Sequence, residues 1–449
     1  MNVTVYPAAR LSGAIELPAS KPHMQRALVF ALLSEGQMNI HHPSWSSETE
    51  RLFEAAQRLG LQVVANDKQI LTLIGTAGQF ERCDDPLGTD GSGFMFRTMA
   101  ALACTQETPI ELLGRLSIKQ RPILQYLGFV KDFGGSIEDR SDDQFVRLRI
   151  TGGPDFGGTT VVDTSQTSQF LTALLLIGPM SNQGLTLKTA SQRMVGEGYI
   201  DLTTEMMAER GCPVVKTEDG FRVGGGGYSV VDAEIPSDFT ALSYMMAAAV
   251  VVPGTDISVP NYRPSKMTSE RDFFEAFSRL GAKSKFDSAT RDLRIWHGDP
   301  SAETVVINGM NIPTVTPALC AAACFADADV TLHGAGHVNL HKCQRLMVMV
   351  QQLKSMGCKI EPHFTNQGTM DGFIARGKSK PGGGVALRSY GDHRVLGSLF
   401  AAGLGAANSI DIDGAQNMPA GYPAFYDEIR KIGASFDLAP SPSELSKAS

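Results

Sequence analysis

The segment "SQTSQFLTALLLIG", residues 165–178, joins a short polar turn directly to an apolar helix. Hydroxyl residues are favoured where a helix begins, and an apolar run without a polar face indicates a helix that is buried on all sides. Five other segments have this form, and the six starts recur about every 70 to 80 residues. These five are "ASKPHMQRALVFALL" (19–33), "DGSGFMFRTMAALAC" (90–104), "PSDFTALSYMMAAAVV" (236–251), "NIPTVTPALCAAACFA" (311–326) and "YGDHRVLGSLFAAGL" (390–404). The chain is therefore predicted to contain six repeated units.

A second helix follows each of the six apolar helices and carries charged residues on one face. It ends at a glycine and leads into a short alternating segment, as in "SERDFFEAFSRLGAKSKF" (269–286). A glycine is the expected residue after a helix end, and the alternation predicts a strand. We therefore predict an α/β fold in which the first helix of each unit is buried and the second lies on the outside.

The length of 449 residues favours two domains, because single hydrophobic cores stop growing near roughly 250 to 300 residues. The glycine run in "RVGGGGYSVVDAEIPSD" (222–238) separates the third unit from the fourth, and "ELPASK" (16–21) offers a second crossing point. The predicted domains are residues 19–231 and residues 1–18 plus 232–449, with three units each.

The composition excludes several classes of function. A net charge of −7 and a pI near 5.8 argue against nucleic acid or an anionic membrane as the main partner. The start "MNVTVYPAARLSG" lacks the apolar segment of a signal peptide, and the longest apolar stretch is shorter than the roughly 20 residues that span a bilayer. The seven cysteines form no CxxC pair and the nine histidines no HExxH motif. We expect a cytoplasmic monomer with no disulfide, metal or cofactor.

Cationic and hydroxyl residues stand at the starts of the predicted buried helices. Cations there oppose the helix dipole, whereas backbone N–H groups and arginines together bind phosphate or carboxylate. Small anionic molecules are therefore the expected partners. The residues of this kind are Lys21, Arg26, Arg97, Thr167, Ser168, Gln169, Arg345 and Arg394, with Arg121 before an external helix.

Over nearly its full length the chain resembles the 5-enolpyruvylshikimate-3-phosphate synthase family, also called 3-phosphoshikimate 1-carboxyvinyltransferase. The motifs that carry the resemblance are "LPASKPHMQR" (17–26), "GSGFMFR" (91–97), "SIKQRPI" (117–123), "TSQFLTALLL" (167–176) and "GDHRV" (391–395). The resemblance implies the two-domain enolpyruvyl transferase fold, with six inverted βαβαββ units and buried parallel helices. It also implies two substrates, a phosphorylated sugar-like acid and phosphoenolpyruvate.

The resemblance further implies roles for individual residues. The hydroxyls of Thr167, Ser168 and Ser191 would bind the substrate phosphate, Gln169 would lie under the substrate ring, and Arg26 would pair with its carboxylate. Ser20 and Thr314 complete the expected acceptor site. Phosphoenolpyruvate would be held by Lys21, Gly93, Arg97, Arg121, Arg345 and Arg394.

The expected acid and base of the family are replaced in this chain. Thr314 stands where the family has an aspartate that removes a proton from the acceptor hydroxyl, and Lys342 stands where it has a second acid, with His341 in place of a lysine. A neutral threonine cannot accept a proton near pH 7. A lysine among arginines has a lowered pKa and can act as a neutral base. Lys21, His341 and Lys342 are therefore the candidate catalytic residues, although Lys342 also fits an exposed lysine at a helix start.

Three functions stay open at this level. The first is a diverged enolpyruvyl transferase that adds a carboxyvinyl group to a hydroxyl with altered acid and base residues. The second is an elimination of water or phosphate from a shikimate-like acid without phosphoenolpyruvate. The third is a binding protein without catalytic activity.

Overall fold

The structure is a computed structural model that describes residues 1–119, 123–191, 194–340, 343–377 and 380–440. Its α-helices, in chain order, are α1 Lys21–Leu33, α2 Ser47–Arg58, α3 Gly93–Ala103, α4 Phe129–Asp132, α5 Gln169–Ile177, α6 Glu197–Glu209, α7 Phe239–Val251, α8 Thr268–Leu280, α9 Thr316–Ala323, α10 Arg345–Ser355, α11 His393–Gly405 and α12 Phe425–Lys431. Short 3₁₀ helices lie at Leu116–Ile118, Leu124–Tyr126, Gly178–Met180, Gly336–Leu340 and Ala415–Ala420.

The strands are short and alternate with the helices along the chain. They are β1 Asn2–Val5, β2 Ser12–Ala14, β3 Gln37–His41, β4 Gln62–Asn66, β5 Ile70–Ile74, β6 Leu87–Asp90, β7 Ile110–Arg115, β8 Ser136–Asp139, β9 Phe145–Thr151, β10 Gly158–Val162, β11 Leu185–Thr189, β12 Val214–Thr217, β13 Gly220–Val223, β14 Ala233–Glu234, β15 Asp256–Val259, β16 Ala282–Asp287, β17 Asp292–His297, β18 Thr304–Asn308, β19 Asp329–His333, β20 Lys359–Phe364, β21 Met370–Arg376, β22 Ala386–Leu387, β23 Ile410–Asp413 and β24 Phe436–Ala439.

Within the described residues these strands form six sheets of four strands, all with the same pattern of pairing. The first pair in each sheet is parallel and the next two are antiparallel. The predicted α/β class is confirmed. The strand orders are β14-β3-β5-β4, β6-β7-β9-β8, β10-β11-β13-β12, β2-β15-β17-β16, β18-β19-β21-β20 and β22-β23-β1-β24.

The chain divides into two compact units. The continuous unit is Ala19–Pro236, and the discontinuous unit is Met1–Pro18 together with Ser237–Ser449. Each unit contains three of the six sheets and six of the α-helices named above. The division falls after Pro236 rather than after residue 231, because β14 pairs with β3 of the continuous unit.

The buried and exposed helices follow the sequence pattern. Almost every described residue of α1, α3, α5, α7, α9 and α11 is buried, whereas α2 and α8 bury one face and expose charged residues on the other. Cys320 lies in α9 and Cys324 directly follows it, and both are buried. Among the described residues, no helix is both long enough and apolar enough to cross a membrane.

The glycines predicted after the six outer helices lie at positive φ. This conformation is costly for residues with a Cβ atom, which is why glycine marks these helix ends. They are Gly60, Gly134, Gly211, Gly281, Gly357 and Gly433.

The outer helix of the second unit differs from the prediction. The sequence "PILQYLGFVKDFGGSIE" (122–138) predicts one continuous helix, but the structure has the 3₁₀ helix Leu124–Tyr126 followed by the four-residue α4. Gly128 lies between the two pieces and has no side chain with which to pack against the core. The low helix propensity of glycine accounts for the break.

Candidate functional site

Arg26 connects three helices of the continuous unit. Its Nε donates a hydrogen bond to Thr203 Oγ1 (2.9 Å), its Nη1 to the carbonyl of Pro22 (3.0 Å), and its Nη2 to the carbonyl of Tyr199 (3.0 Å). The Phe94 ring lies under the guanidinium, with 5.6 Å between the guanidinium carbon and the ring centroid. These contacts join the beginnings of α1, α3 and α6.

The charge of Arg26 is buried among neutral groups. The residue is only 2% exposed, and burial lowers its pKa to about 10, so it keeps its charge at neutral pH. Its contacts within the described part of the chain are a hydroxyl, two carbonyls and an aromatic ring. Burying a cation without a carboxylate partner is costly. A bound anion would offset this cost.

Arg97 joins the beginnings of α3 and α5. Its Nη1 donates to Gln169 Oε1 (2.6 Å) and to the carbonyl of Gly93 (3.0 Å), and its guanidinium lies over the Phe170 ring at 5.0 Å. Ser92 caps α3 by accepting a hydrogen bond from the backbone N–H of Met95. The predicted residues Gly93, Arg97 and Gln169 are therefore brought together.

The Thr167–Ser168 pair leads into α5. Ser168 Oγ donates to the carbonyl of Gly196 (3.4 Å), the residue before α6, and Thr167 Oγ1 accepts from the backbone N–H of Gln169 (3.3 Å). These contacts thus form a closed cycle that links α1, α3, α5 and α6. Ser191 follows β11, and Arg121 lies outside the described residues.

Lys21 and Ser20 stand at the start of α1, where the sequence places them. Lys21 Nζ forms a partly buried ion pair with Glu48 of α2 (2.9 Å). Ser20 occupies the N-cap position but does not cap the helix with its side chain; instead its Oγ lies 2.8 Å from His23 Nδ1. Burial, aided by the charge of Arg26, lowers the pKa of His23 to about 3, which keeps the ring neutral.

In the discontinuous unit, Arg345 and Asp392 form a buried ion pair. Arg345 Nε donates to Asp392 Oδ2 (2.8 Å), and Nη2 lies 2.8 Å from the same oxygen, with the side chains 6% and 0% exposed. Asp392 also caps α11 by accepting from the backbone N–H of Arg394 (2.8 Å). Burial alone would raise the pKa of Asp392, but the charges of Arg345 and His393 and these hydrogen bonds hold it well below its usual range.

Thr314 lies between α7 and α11. Its Oγ1 accepts a hydrogen bond from Thr240 Oγ1 (3.3 Å), and its carbonyl accepts from Arg394 Nη1 (3.2 Å). Asp238 caps α7 by accepting from the backbone N–H groups of Thr240 and Ala241. The discontinuous unit thus brings Thr314 and Arg394 together at the beginnings of its buried helices. His341 and Lys342 lie outside the described residues.

Glu48, His23 and Asp392 are among the residues of these clusters that were not predicted from the sequence. Glu48 has no distinctive local signal, because its partner Lys21 is 27 residues away in the chain. His23 has none because its neutral state is a consequence of burial. Asp392 lies inside the quoted motif "GDHRV", and an acidic residue just before an apolar helix is a recognisable N-cap. That signal identifies the cap but not its pairing with Arg345, which is 47 residues away.

Comparisons with known proteins identify the family and the fold of the chain. The sequence profile of the EPSP synthase (3-phosphoshikimate 1-carboxyvinyltransferase) family matches residues 5–429. The chain is 28% identical over 444 residues to the 3-phosphoshikimate 1-carboxyvinyltransferase of Methanococcoides burtonii, covering 98% of this chain and 100% of that one. It is 26% identical over 431 residues to the protein of the same name from Methanocaldococcus jannaschii, covering 96% and 97%. The solved structure of EPSP synthase from Acinetobacter baumannii has a TM-score of 0.80 at 20% identity, covering 98% of this chain and 100% of that one, and so shows the same fold.

Proposed function

Because the chain belongs to the EPSP synthase (3-phosphoshikimate 1-carboxyvinyltransferase) family, we propose that it transfers a carboxyvinyl group from phosphoenolpyruvate to a hydroxyl of a shikimate 3-phosphate-like acceptor. The reaction forms a bond between the acceptor oxygen and C2 of phosphoenolpyruvate. The hydroxyl proton is removed and inorganic phosphate leaves. Both substrates are anions, in keeping with a protein that displays cations at its helix beginnings.

The observation that carries the proposal is the buried charge of Arg26, which belongs to the cycle of contacts that links α1, α3, α5 and α6. Helix beginnings present backbone N–H groups, and a buried cation among neutral groups requires an anion for full compensation. We assign Arg26 to the acceptor carboxylate. The other proposed acceptor ligands are Ser20, Thr167, Ser168, Gln169, Ser191 and Thr314.

Two of the proposed phosphoenolpyruvate ligands are arginines whose guanidiniums are already held by other side chains. Arg97 is held by Gln169, and Arg345 is held by Asp392, so both guanidiniums are oriented before a ligand binds. Preorganised donors of this kind stabilise a developing negative charge without further reorganisation. The full proposed set is Lys21, Gly93, Arg97, Arg121, Arg345 and Arg394.

We further propose that Lys21, His341 and Lys342 supply the proton transfers. Thr314 Oγ1 already accepts a hydrogen bond from a second threonine, and a neutral hydroxyl is not a base near pH 7. The assignment of His341 and Lys342 rests on their position in the sequence. A protein with these replacements is expected to turn over the usual family substrates slowly, because a lost general acid or base costs about 10²- to 10⁴-fold in rate.

Phosphate release from phosphoenolpyruvate and shikimate 3-phosphate tests the proposal. The assay compares the wild type with Thr314→Asp, Lys342→Glu and the double variant. Low wild-type turnover that rises in the double variant supports altered acid and base residues, whereas rapid wild-type turnover contradicts them.

A second candidate is the elimination of water or phosphate from a shikimate-like acid, because Thr314 offers a neutral hydroxyl that is not a base near pH 7. Isothermal titration separates the two functions. Binding of shikimate 3-phosphate without any effect of phosphoenolpyruvate would support elimination. Binding of neither molecule would refute both functions and leave a different substrate or a silent binding protein.

A further inference from the structure

A cavity of about 350 Å³ lies in the discontinuous unit, at the start of α8. Its lining comes from the loop before α8, the first turns of that helix, and β16 and β17, and it contains none of the residues assigned above to catalysis or substrate binding. Binding sites for small organic molecules begin at about 300 Å³. The cavity is therefore large enough for a molecule of about the size of an amino acid.

The walls of the cavity are mainly aromatic and aliphatic. Tyr262 forms edge-to-face contacts with Phe274 (6.4 Å between ring centroids) and with Phe286 (5.8 Å), so three rings surround one side. Met267 and Leu293 add aliphatic surface. Such a surface binds an apolar side chain and, through the ring faces, also favours a cation.

A buried carboxylate lies in this wall. Glu270 is 4% exposed; its Oε1 accepts from Tyr262 OH (2.6 Å) and its Oε2 accepts from the backbone N–H of Ser265 (2.8 Å). Burial raises the pKa of Glu270 to about 7, and the nearby charge of Asp238 acts in the same direction. Within the described residues, the hydrogen bonds to this carboxylate come from neutral groups, so an ammonium group would complete its environment.

Two cationic side chains also line the cavity. Lys266 and Arg271 are exposed at its rim, on either side of the start of α8. A simple amine would be repelled by them, whereas a molecule that carries both an ammonium and a carboxylate would satisfy both polar ends. The cavity thus offers a buried carboxylate, a cationic rim and an apolar wall.

We propose that this cavity binds an α-amino acid with an apolar side chain, its ammonium group on Glu270, its carboxylate near Lys266 and Arg271, and its side chain between Phe274 and Phe286. The cavity shares no residue with the proposed substrate-binding and catalytic set, so binding of an amino acid there does not require turnover by the protein. It would let the concentration of an amino acid influence this unit by stabilising its folded form.

Isothermal titration of the full chain with L-phenylalanine and L-leucine tests the proposal, with phenethylamine and 3-phenylpropionate as probes that each lack one charged group. We expect both amino acids to bind in a saturable manner and each single-charge probe to bind more weakly. No saturable binding of either amino acid at millimolar concentration overturns the proposal. If phenethylamine binds as tightly as L-phenylalanine, the carboxylate of the ligand contributes nothing to binding, and the proposal of an amino acid is overturned.

Glu270→Gln is expected to weaken amino acid binding by roughly 10- to 100-fold, the value of a charge-assisted hydrogen bond. Glu275→Gln is the matched control, because Glu275 lies on the same helix but is exposed and does not line the cavity. Phe274→Ala provides a second variant that does not alter charge and is expected to weaken binding as well. Unchanged affinity in both cavity variants, with thermal unfolding showing that they are folded, contradicts the assignment.

Discussion

The ion pair between Arg345 and Asp392 should determine much of the stability of the discontinuous unit. Asp392→Asn removes the negative charge but keeps the side-chain size and an oxygen that can still cap α11. It leaves the Arg345 guanidinium buried without its counter-charge. Breaking a buried ion pair in this way costs about 3 to 5 kcal/mol of unfolding free energy. The pair of Asp392 is buried in this sense, because the Asp392 side chain is 0% exposed.

The same unit contains a matched control with similar geometry and different burial. Arg294 Nε and Nη2 each donate to a different oxygen of Asp256 at 2.8 Å, but these side chains are 61% and 41% exposed. Water and salt screen exposed ion pairs, so Asp256→Asn should change stability little. Urea unfolding followed by circular dichroism measures both variants against the wild type.

The dependence on pH provides an independent check. The pKa of Asp392 is held low in the folded protein, so its contribution to stability is present above the pKa of an unfolded aspartate, about 3.9, and is lost as the pH falls through the folded value. The Asp392→Asn variant should therefore lose less stability than the wild type on acidification. Equal destabilisation by Asp392→Asn and Asp256→Asn at neutral pH would refute the reasoning, because burial would then not decide the strength of the pair.

Three further changes test other parts of the structure. Ser168→Ala should weaken binding of a phosphorylated acceptor by roughly 10- to 100-fold in isothermal titration and leave an unphosphorylated analogue unaffected; equal losses would mean that the hydroxyl has only a structural role. Burial raises the pKa of Glu270 from 4.5 to about 7. The free energy of unfolding of the wild type, measured with urea, should therefore fall by about 3 kcal/mol between pH 4.5 and 8 relative to that of Glu270→Gln. The same pH dependence in both proteins would contradict this. A Cβ at Gly372 would lie 1.6 Å from the carbonyl oxygen of Leu332, whereas one at Gly88 would meet nothing within 4 Å. Gly372→Ala should therefore lower stability by more than about 3 kcal/mol and Gly88→Ala should not, and similar melting temperatures for the two would argue against this packing.

The repeated features of the fold could be predicted from the sequence because each depends on local physical chemistry. An apolar run without a polar face predicts a buried helix, and α1 and α7 are buried almost throughout. A glycine after an amphipathic helix predicts a left-handed helix end, as at Gly281 with φ of 110°. The short α4 was missed because the apolar pattern around it continues through Gly128, and the prediction gave the low helix propensity of that glycine too little weight.

The sequence by itself determined the six units, their buried and outer helices, and the cations at the helix beginnings, because these patterns repeat within each unit. The tertiary structure alone decided which of those residues meet. Arg26 contacts Tyr199, 173 residues away, and Arg394 reaches the carbonyl of Thr314, 80 residues away. Such contacts depend on the packing of whole helices against one another, and no spacing along the chain encodes them. The same reason explains why the buried carboxylate of Glu270 emerged only from the fold, since burial is a property of everything that surrounds a side chain.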